Sequence, residues 1–396
     1  MKIVFFTLSP NGLYSSLIDK LEEKGHSIII VSPTYNGKNE FLNINQNRKI
    51  LYFKSWPLTN VGIIKKGIAD ILFPYFCKLS VKKYIGRYQP DLIISTTPTL
   101  GFGKSISFLK NNNLKCKHYL VLRDIWPEAF KLFDFDTKFP LIYKWYRKQE
   151  KYLYDTADII GCMSEGNIEF VNKSNPEIGI DKLKLLPNWA DVEEMKSIDE
   201  SIRTKYKLDN KIVCIYGGNM GVPQGLDNIV NLAERQTRRD NILFLLIGNG
   251  TELERIKNIA KEKALTNMNF LDYLPKKDYE ALLRISDIGL ISLNHKLKTP
   301  SIPSKTLSYW NLEKPIFAII DSVTDYGINI IDKSKSGLWE LSTEINKIDE
   351  KFDIICRDSF LREKMGKNGR NYLADNCSTE LIYKKIMQHL YEYCRL

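Results

Sequence analysis

The sequence predicts an α/β protein made of two doubly wound, Rossmann-like domains facing an interdomain cleft, and three observations lead there. The chain has 396 residues, more than one hydrophobic core usually supports. Apolar, β-branched runs alternate with amphipathic stretches from the first residues onward, the rhythm of βαβ units. That rhythm pauses once, at LKLLPNWAD, and then restarts.

In the first half, KIVFF reads as a strand, Tyr14 to Lys24 as a helix, and HSIIIVS, DLIIST, KHYLVL and ADIIGCMS as further strands, with a helix from Leu141 to Tyr154. After the pause, KIVCIYGG, a helix near Leu226 to Arg239, ILFLLIG, MNFLD, DIGLISL and PIFAII follow in turn. These later runs are continuously apolar, as strands of a parallel sheet covered on both faces must be. The expected domains are 1–188 and 189–378. A last amphipathic helix within 379–396 carries Leu381, Ile382, Ile386, Leu390 and Tyr391 at helical spacing and can pack on either domain. Ligands of open α/β sheets bind beyond the carboxyl ends of the strands, so two such domains make the cleft the default site.

Composition narrows the function classes. MKIVFFTLSP lacks a cleavage site and reads as a first buried strand, not a leader. No run of about 18 apolar residues is uninterrupted, Ile68 to Leu79 being broken by Asp70, Pro74 and Lys78. Seven scattered cysteines, without a CxxC pair, fit a reducing compartment. The net charge of +11 is uneven: residues 1–188 hold 27 Lys+Arg against 17 Asp+Glu, a balance of +10. Such asymmetry suits an anionic membrane or nucleic acid, and no nucleic-acid-binding module is recognisable. Between Lys65 and Tyr88, basic residues including Lys65, Lys66, Lys82, Lys83 and Arg87 interleave with bulky apolar ones against one acid, Asp70. That pattern suits a headgroup-contacting surface or a cleft for a lipid-linked acceptor; a helix packed on the core with its lysines in water is the competing reading.

Chemistry-bearing residues gather at strand ends. The first strand runs into SPNGLY, where Gly12 leaves backbone N–H groups open to a phosphate or sugar hydroxyl. The absence of GxGxxG there argues against a dehydrogenase. KHYLVL ends in Arg123, Asp124 and, after IWP, Glu128. Asp124 can guide a proton or hold a substrate hydroxyl and Arg123 can pair with phosphate, or the two form an internal ion pair. In the second half, GGNMGVPQG places Gly218, Asn219 and Gln224, and IGNG places Gly248 and Asn249, in turns suited to close backbone approach to an anion. Lys305 opens a helix predicted to run through Glu313. A cation there opposes the helix dipole unless an anion such as a diphosphate shares the place. Asp134-Phe135-Asp136 lies between helices and is discounted as a metal motif, and the four histidines show no metal spacing.

Through the ordered segments KGHSIIIVS, RDIWPE, PNWAD, GGNMGVPQGL, IGNG, PSKTLSYWNLEKPI and MGKNGRNYL, nearly the whole chain resembles the bacterial family 4 retaining glycosyltransferases. Within that family it resembles the O-antigen and capsule branch, similar to N-acetylfucosamine transferases. The resemblance implies a GT-B fold, a UDP-sugar held mainly by the C-terminal domain, an acceptor in the N-terminal domain and no essential metal. It makes Asp124, with Arg123 and Glu128, the catalytic candidates. It makes Gly12, Gly218, Asn219, Gln224, Gly248, Asn249, Lys305 and Ser308 the donor-binding candidates. Many relatives carry an Arg and a Lys where this chain has Asn219 and Gln224, and two glutamates where it has Pro300 and Ser308, so Lys305 must do more of the neutralising.

The implied reaction is transfer of an N-acetylated hexosamine or deoxyhexosamine from a UDP-sugar to a lipid-linked glycan on the cytoplasmic face of the cell membrane. The leaving diphosphate helps deprotonate the acceptor, so the protein positions groups and stabilises charge. A sugar-nucleotide epimerase of the same architecture and an inactive nucleotide-binding scaffold are the alternatives.

Overall fold

The computed structural model describes residues 1–58, 63–195, 197 and 199–395, and for Ile63 and Ile64 the backbone alone. The chain forms two compact units, Met1–Pro187 with Thr379–Leu396, and Asn188–Ser378; Leu396 itself lies outside the described residues.

Unit 1 is built on β1 (Lys2–Phe6), β2 (Ser27–Thr34), β3 (Glu40–Asn43), β4 (Arg48–Lys54), β5 (Leu92–Thr96), β6 (Lys117–Leu122), β7 (Ile159–Cys162) and β8 (Leu183–Leu185). The sheet order is β3-β4-β2-β1-β5-β6-β7-β8. All neighbours are parallel except the β3–β4 edge pair. β1, β5 and β6 are apolar because helices cover both faces, and Phe5, Phe6 and Tyr119 are fully buried. Each such side chain contributes about 1.5–3 kcal/mol on burial. The Thr379–Tyr393 helix belongs to this unit: Ile382 and Ile386 are buried, the Tyr119 hydroxyl lies 2.9 Å from His389 Nδ1, and Glu380 pairs with Lys20 and Lys24.

Unit 2 carries β9 (Ile212–Gly217), β10 (Ile242–Ile247), β11 (Met268–Leu271), β12 (Ile288–Ser292), β13 (Ile316–Ile320) and β14 (Gly337–Leu341), all parallel, in the order β11-β10-β9-β12-β13-β14. In each unit the strand order reverses about the first strand of that sheet, so the crevice at the switch point opens beside β1 and β5 in unit 1 and beside β9 and β12 in unit 2. This is where the glycine turns and charged strand ends fall.

One helix is shorter than its sequence suggests. The segment from Lys305 ends at Asn311, because Glu313 takes a left-handed backbone (φ 54°) and Lys314 N–H donates back to the Tyr309 carbonyl at 2.8 Å. A helix of seven residues has a weaker dipole than one reaching Glu313, so less of the field at Lys305 comes from the helix.

Candidate functional site

In unit 1 the loops after β1, β5 and β6 are stitched together through Thr97. Thr97 Oγ1 accepts from the Arg123 N–H at 2.9 Å and from the Asp124 N–H at 3.0 Å. Tyr14, buried at the start of the Ser15–Glu23 helix, donates its hydroxyl to the Thr97 carbonyl at 3.2 Å. The Arg123 guanidinium lies 5.1 Å from the centre of the Tyr14 ring, within cation–π range. Arg123 is buried and Asp124 is exposed.

Desolvation raises the Asp124 carboxyl above the usual range while Arg123 pulls it back down, and desolvation lowers Arg123. A solvent-accessible carboxylate beside a buried guanidinium suits a group that must accept or guide a proton. Gly12 sits in the adjoining turn, where a methyl group would come 3.2 Å from Ser9 Cβ.

Glu128 is placed differently from its neighbours. It is buried, accepts from the Tyr143 hydroxyl, and pairs with Lys131 at 2.6 Å and Arg147 at 3.2 Å. Three partners absorb its oxygens, so its carboxylate fastens the Glu128–Phe133 turn to the Pro140–Thr156 helix. Lys66 likewise turns inward, its ammonium 5.0 Å from both the Trp126 and Phe130 rings, whereas Lys65, Lys82, Lys83 and Arg87 are exposed.

In unit 2 the two glycine turns interlock. The Gly218 N–H donates to the Ile247 carbonyl at 2.9 Å and the Met220 N–H to the Asn249 carbonyl at 2.7 Å. Gly248 has φ +140°, and a Cβ there would lie 2.1 Å from the Gly218 carbonyl oxygen, so only glycine permits the approach. Gly218 itself has φ +118° and faces the Lys305 side chain, whose Cε would be 3.9 Å from an added methyl.

Lys305 stands at the centre of this half. Its ammonium lies 3.5 Å from the centre of the Tyr216 ring, and the Tyr216 hydroxyl donates to the Asn219 carbonyl at 2.7 Å. Burial pushes Lys305 down to about 7, with no neighbouring charge contributing. By area the side chain is only partly covered; the cation is held against an aromatic face and glycine backbone, and among the described residues no carboxylate pairs with it. Such a cation is stabilised by an incoming anion.

Gln224 is occupied by its own turn, accepting from the Gly221 N–H at 3.0 Å and the Asn219 amide at 3.3 Å. Asn249 and Ser308 are exposed. Pro300 is buried in the loop before Lys305, and that loop is tied to the end of β13 through Thr324 Oγ1 donating to the Ser301 carbonyl at 2.8 Å. Asp321 organises the β13 end, its Oδ1 accepting from the Val323 and Thr324 N–H groups at 2.7 and 2.8 Å.

Sequence reasoning missed Thr97, Tyr14, Tyr216 and Asp321. Each occupies a strand end or the turn after one, and a polar or aromatic residue at that position was the available signal. Among the described residues no group of three or more His, Cys, Asp or Glu side chains is gathered as a metal ion would require.

Residues 198–372 match the family model of glycosyl transferases group 1. The chain is 25% identical over 230 residues to a putative colanic acid biosynthesis glycosyl transferase of Escherichia coli, covering 55% of this chain and 54% of that protein. It thus spans about half the length of that relative. A probable glycosyltransferase of Pseudomonas aeruginosa is 24% identical over 340 residues, 82% of this chain and 80% of that one. Among solved structures, sucrose-phosphate synthase from Thermosynechococcus elongatus superposes with a TM-score of 0.77 at 16% identity, covering 99% of this chain and 98% of that one.

The chain has the GT-B fold, and its second unit carries the match to glycosyl transferases group 1. The chain also resembles Anabaena HepE in complex with UDP, with a TM-score of 0.69 at 14% identity over 99% of this chain and 100% of that one. The match to glycosyl transferases group 1 falls wholly in unit 2, so the interlocked glycine turns and Lys305 lie in the segment that carries the family likeness.

Proposed function

We propose that this chain is a retaining, family 4-like glycosyltransferase that moves an N-acetylated hexosamine or deoxyhexosamine from a UDP-sugar to a lipid-linked glycan acceptor in surface polysaccharide synthesis. The observation that carries the donor half of the reading is Lys305, a desolvated cation without a counter-ion at the switch point of unit 2, beside the backbone of Gly218. A diphosphate supplies the missing negative charge. The UDP in HepE and the colanic acid name of the E. coli relative support the nucleotide and the pathway class.

In this reading Gly218, Gly248 and Lys305 hold the diphosphate, Asn249 and Ser308 reach the nucleoside, and Asn219 and Gln224 shape the turn. Unit 1 presents the acceptor, with Asp124 and Arg123 at the reacting end, and Gly12 allows the donor to approach the backbone. No metal takes part: Lys305 and the turn amides stabilise the leaving diphosphate, which helps deprotonate the acceptor while Asp124 guides the proton. The enzyme works peripherally on the cytoplasmic membrane face, with Lys65, Lys82, Lys83 and Arg87 toward anionic lipid. Among the described residues no helix is long and apolar enough to cross a membrane.

The test is incubation with UDP-N-acetylhexosamines and a membrane extract, with products followed by mass spectrometry and the new anomeric configuration by NMR. A glycolipid whose configuration matches that of the donor is expected. Conversion of the donor in the absence of acceptor marks an epimerase instead, and nucleotide binding without any turnover marks a scaffold.

A further inference from the structure

The Ile63–Ile85 helix is apolar on two opposite sides. Ala69, Phe73, Cys77 and Val81 are buried in the unit 1 core. On the opposite side, Ile71, Tyr75 and Leu79 are 51%, 52% and 65% exposed, with Ile68 one turn before them. At 100° per residue these four fall within one narrow face, which Lys78 and Lys82 share. The helix's one acid, Asp70, is turned inward, accepting from the Tyr146 hydroxyl at 2.5 Å. The outer face therefore presents apolar groups and cations without an acid.

This face continues into a cavity. Lys104, from the Gly103–Asn112 helix, lies with its ammonium 3.7 Å from the centre of the Tyr75 ring. The same lysine, with Trp145, Lys148, Gln149 and Tyr152, lines an open cavity of about 290 Å³. Its walls are two aromatic rings, the stems of two lysines and one amide, with no carboxylate. On the same Pro140–Thr156 helix, Leu141 is 81% exposed.

We infer that the outer face of the Ile63–Ile85 helix, together with the Lys104–Trp145–Lys148–Tyr152 cavity, is the surface on which unit 1 docks to an anionic phospholipid bilayer, the cavity receiving a lipid phosphate. The charge argues for an anionic partner. The aromatic rings beside lysines, with aliphatic side chains projecting further out, match the order of headgroup and acyl boundary and not the surface of an acidic protein. The proposal rests on the reading of unit 1 as membrane-facing but names a different set of contacts: Lys65 and Arg87 are not needed, while Lys104 and Lys148 are.

The experiment is co-sedimentation of the full chain with vesicles of phosphatidylcholine, and of phosphatidylcholine mixed with phosphatidylglycerol. It compares the wild type with the doubles Tyr75→Ser/Leu79→Ser and Lys104→Gln/Lys148→Gln. All four positions have exposed or half-exposed side chains outside the donor site, so the melting temperature and the stabilisation by UDP should stay as in the wild type and certify the fold. Binding to the anionic vesicles only, weakened about tenfold or more by each double, is the expected result. Unchanged binding by both doubles overturns this surface while leaving membrane association standing, and failure of the wild type to bind anionic vesicles overturns both. A wild-type dimer in light scattering that either double renders monomeric overturns the lipid assignment in favour of a second copy of the chain.

Discussion

Replacing Lys305 by methionine keeps the length of the side chain and removes its charge, and the structure assigns opposite signs to the two consequences. In the free protein the ammonium is desolvated against Tyr216 with no counter-ion, and its proton affinity falls from 10.5 to about 7. The unfolded chain therefore holds more protons between those values, so stability rises as pH climbs through that window and the full cost is present below about pH 7. Because the side chain is only partly covered, relief of that cost in Lys305→Met is worth on the order of 1–3 kcal/mol, a rise of about 2–4 °C in melting temperature per kcal/mol. Binding should move the other way. Loss of one charge-assisted contact to the diphosphate costs about 1.5–3 kcal/mol, roughly a ten- to hundredfold weaker Kd for UDP. A bound diphosphate also restores the proton, so wild-type affinity should fall roughly tenfold or more between about pH 6.5 and about pH 8.5, and the variant should lose this dependence. Isothermal titration with UDP at the two pH values, with melting curves of the free proteins, reads all three quantities. A variant that melts lower and binds UDP as tightly as the wild type would refute the reasoning, because Lys305 would then be part of the packing.

Four further outcomes follow from the geometry. Asp124→Asn should lower turnover by about a hundredfold or more while leaving the UDP Kd unchanged, as expected of a proton-guiding group in the acceptor half; equal turnover removes the assignment. Its raised carboxyl also predicts that the acidic limb of the turnover profile lies above the usual aspartate range, with activity lost as pH falls through it. Gly248→Ala forces a Cβ against the Gly218 carbonyl in a backbone region side chains rarely adopt. It should cost about 1–3 kcal/mol and weaken UDP binding, seen together in melting curves with and without UDP. Glu128→Gln removes the carboxylate that pairs with Lys131 and leaves Arg147 with Glu150 alone. It should destabilise unit 1 by about 3 kcal/mol in urea titrations while the folded fraction retains its UDP affinity.

The fold was legible where burial is two-sided. β9 and β10 read as unbroken apolar runs because helices cover both faces of the sheet. β3, β4 and β14 did not stand out, since their half-exposed positions mix polar with apolar residues as a surface helix does. Gly218 and Gly248 stood out from their places after strands, and Lys305 from its place at a helix start. The desolvation of Lys305 was not, because Tyr216 reaches it from a strand far upstream. Lys66 and Glu128 show the same limit: a basic residue in a basic stretch and an acid in a charged loop look available in sequence. Their partners, Trp126 and Phe130 for one and Tyr143 and Arg147 for the other, meet them only after the helices pack.

The central claim, that unit 2 is built to hold a uridine diphosphate sugar, is tested most directly by melting the full chain in the presence of UDP, GDP, CDP, ADP and NAD. A ligand at about a hundred times its Kd stabilises the native state by roughly 2.7 kcal/mol. The account predicts a rise with UDP that the other four do not match and that Lys305→Met diminishes. A larger rise with another nucleotide, or none with UDP at any concentration, would contradict it.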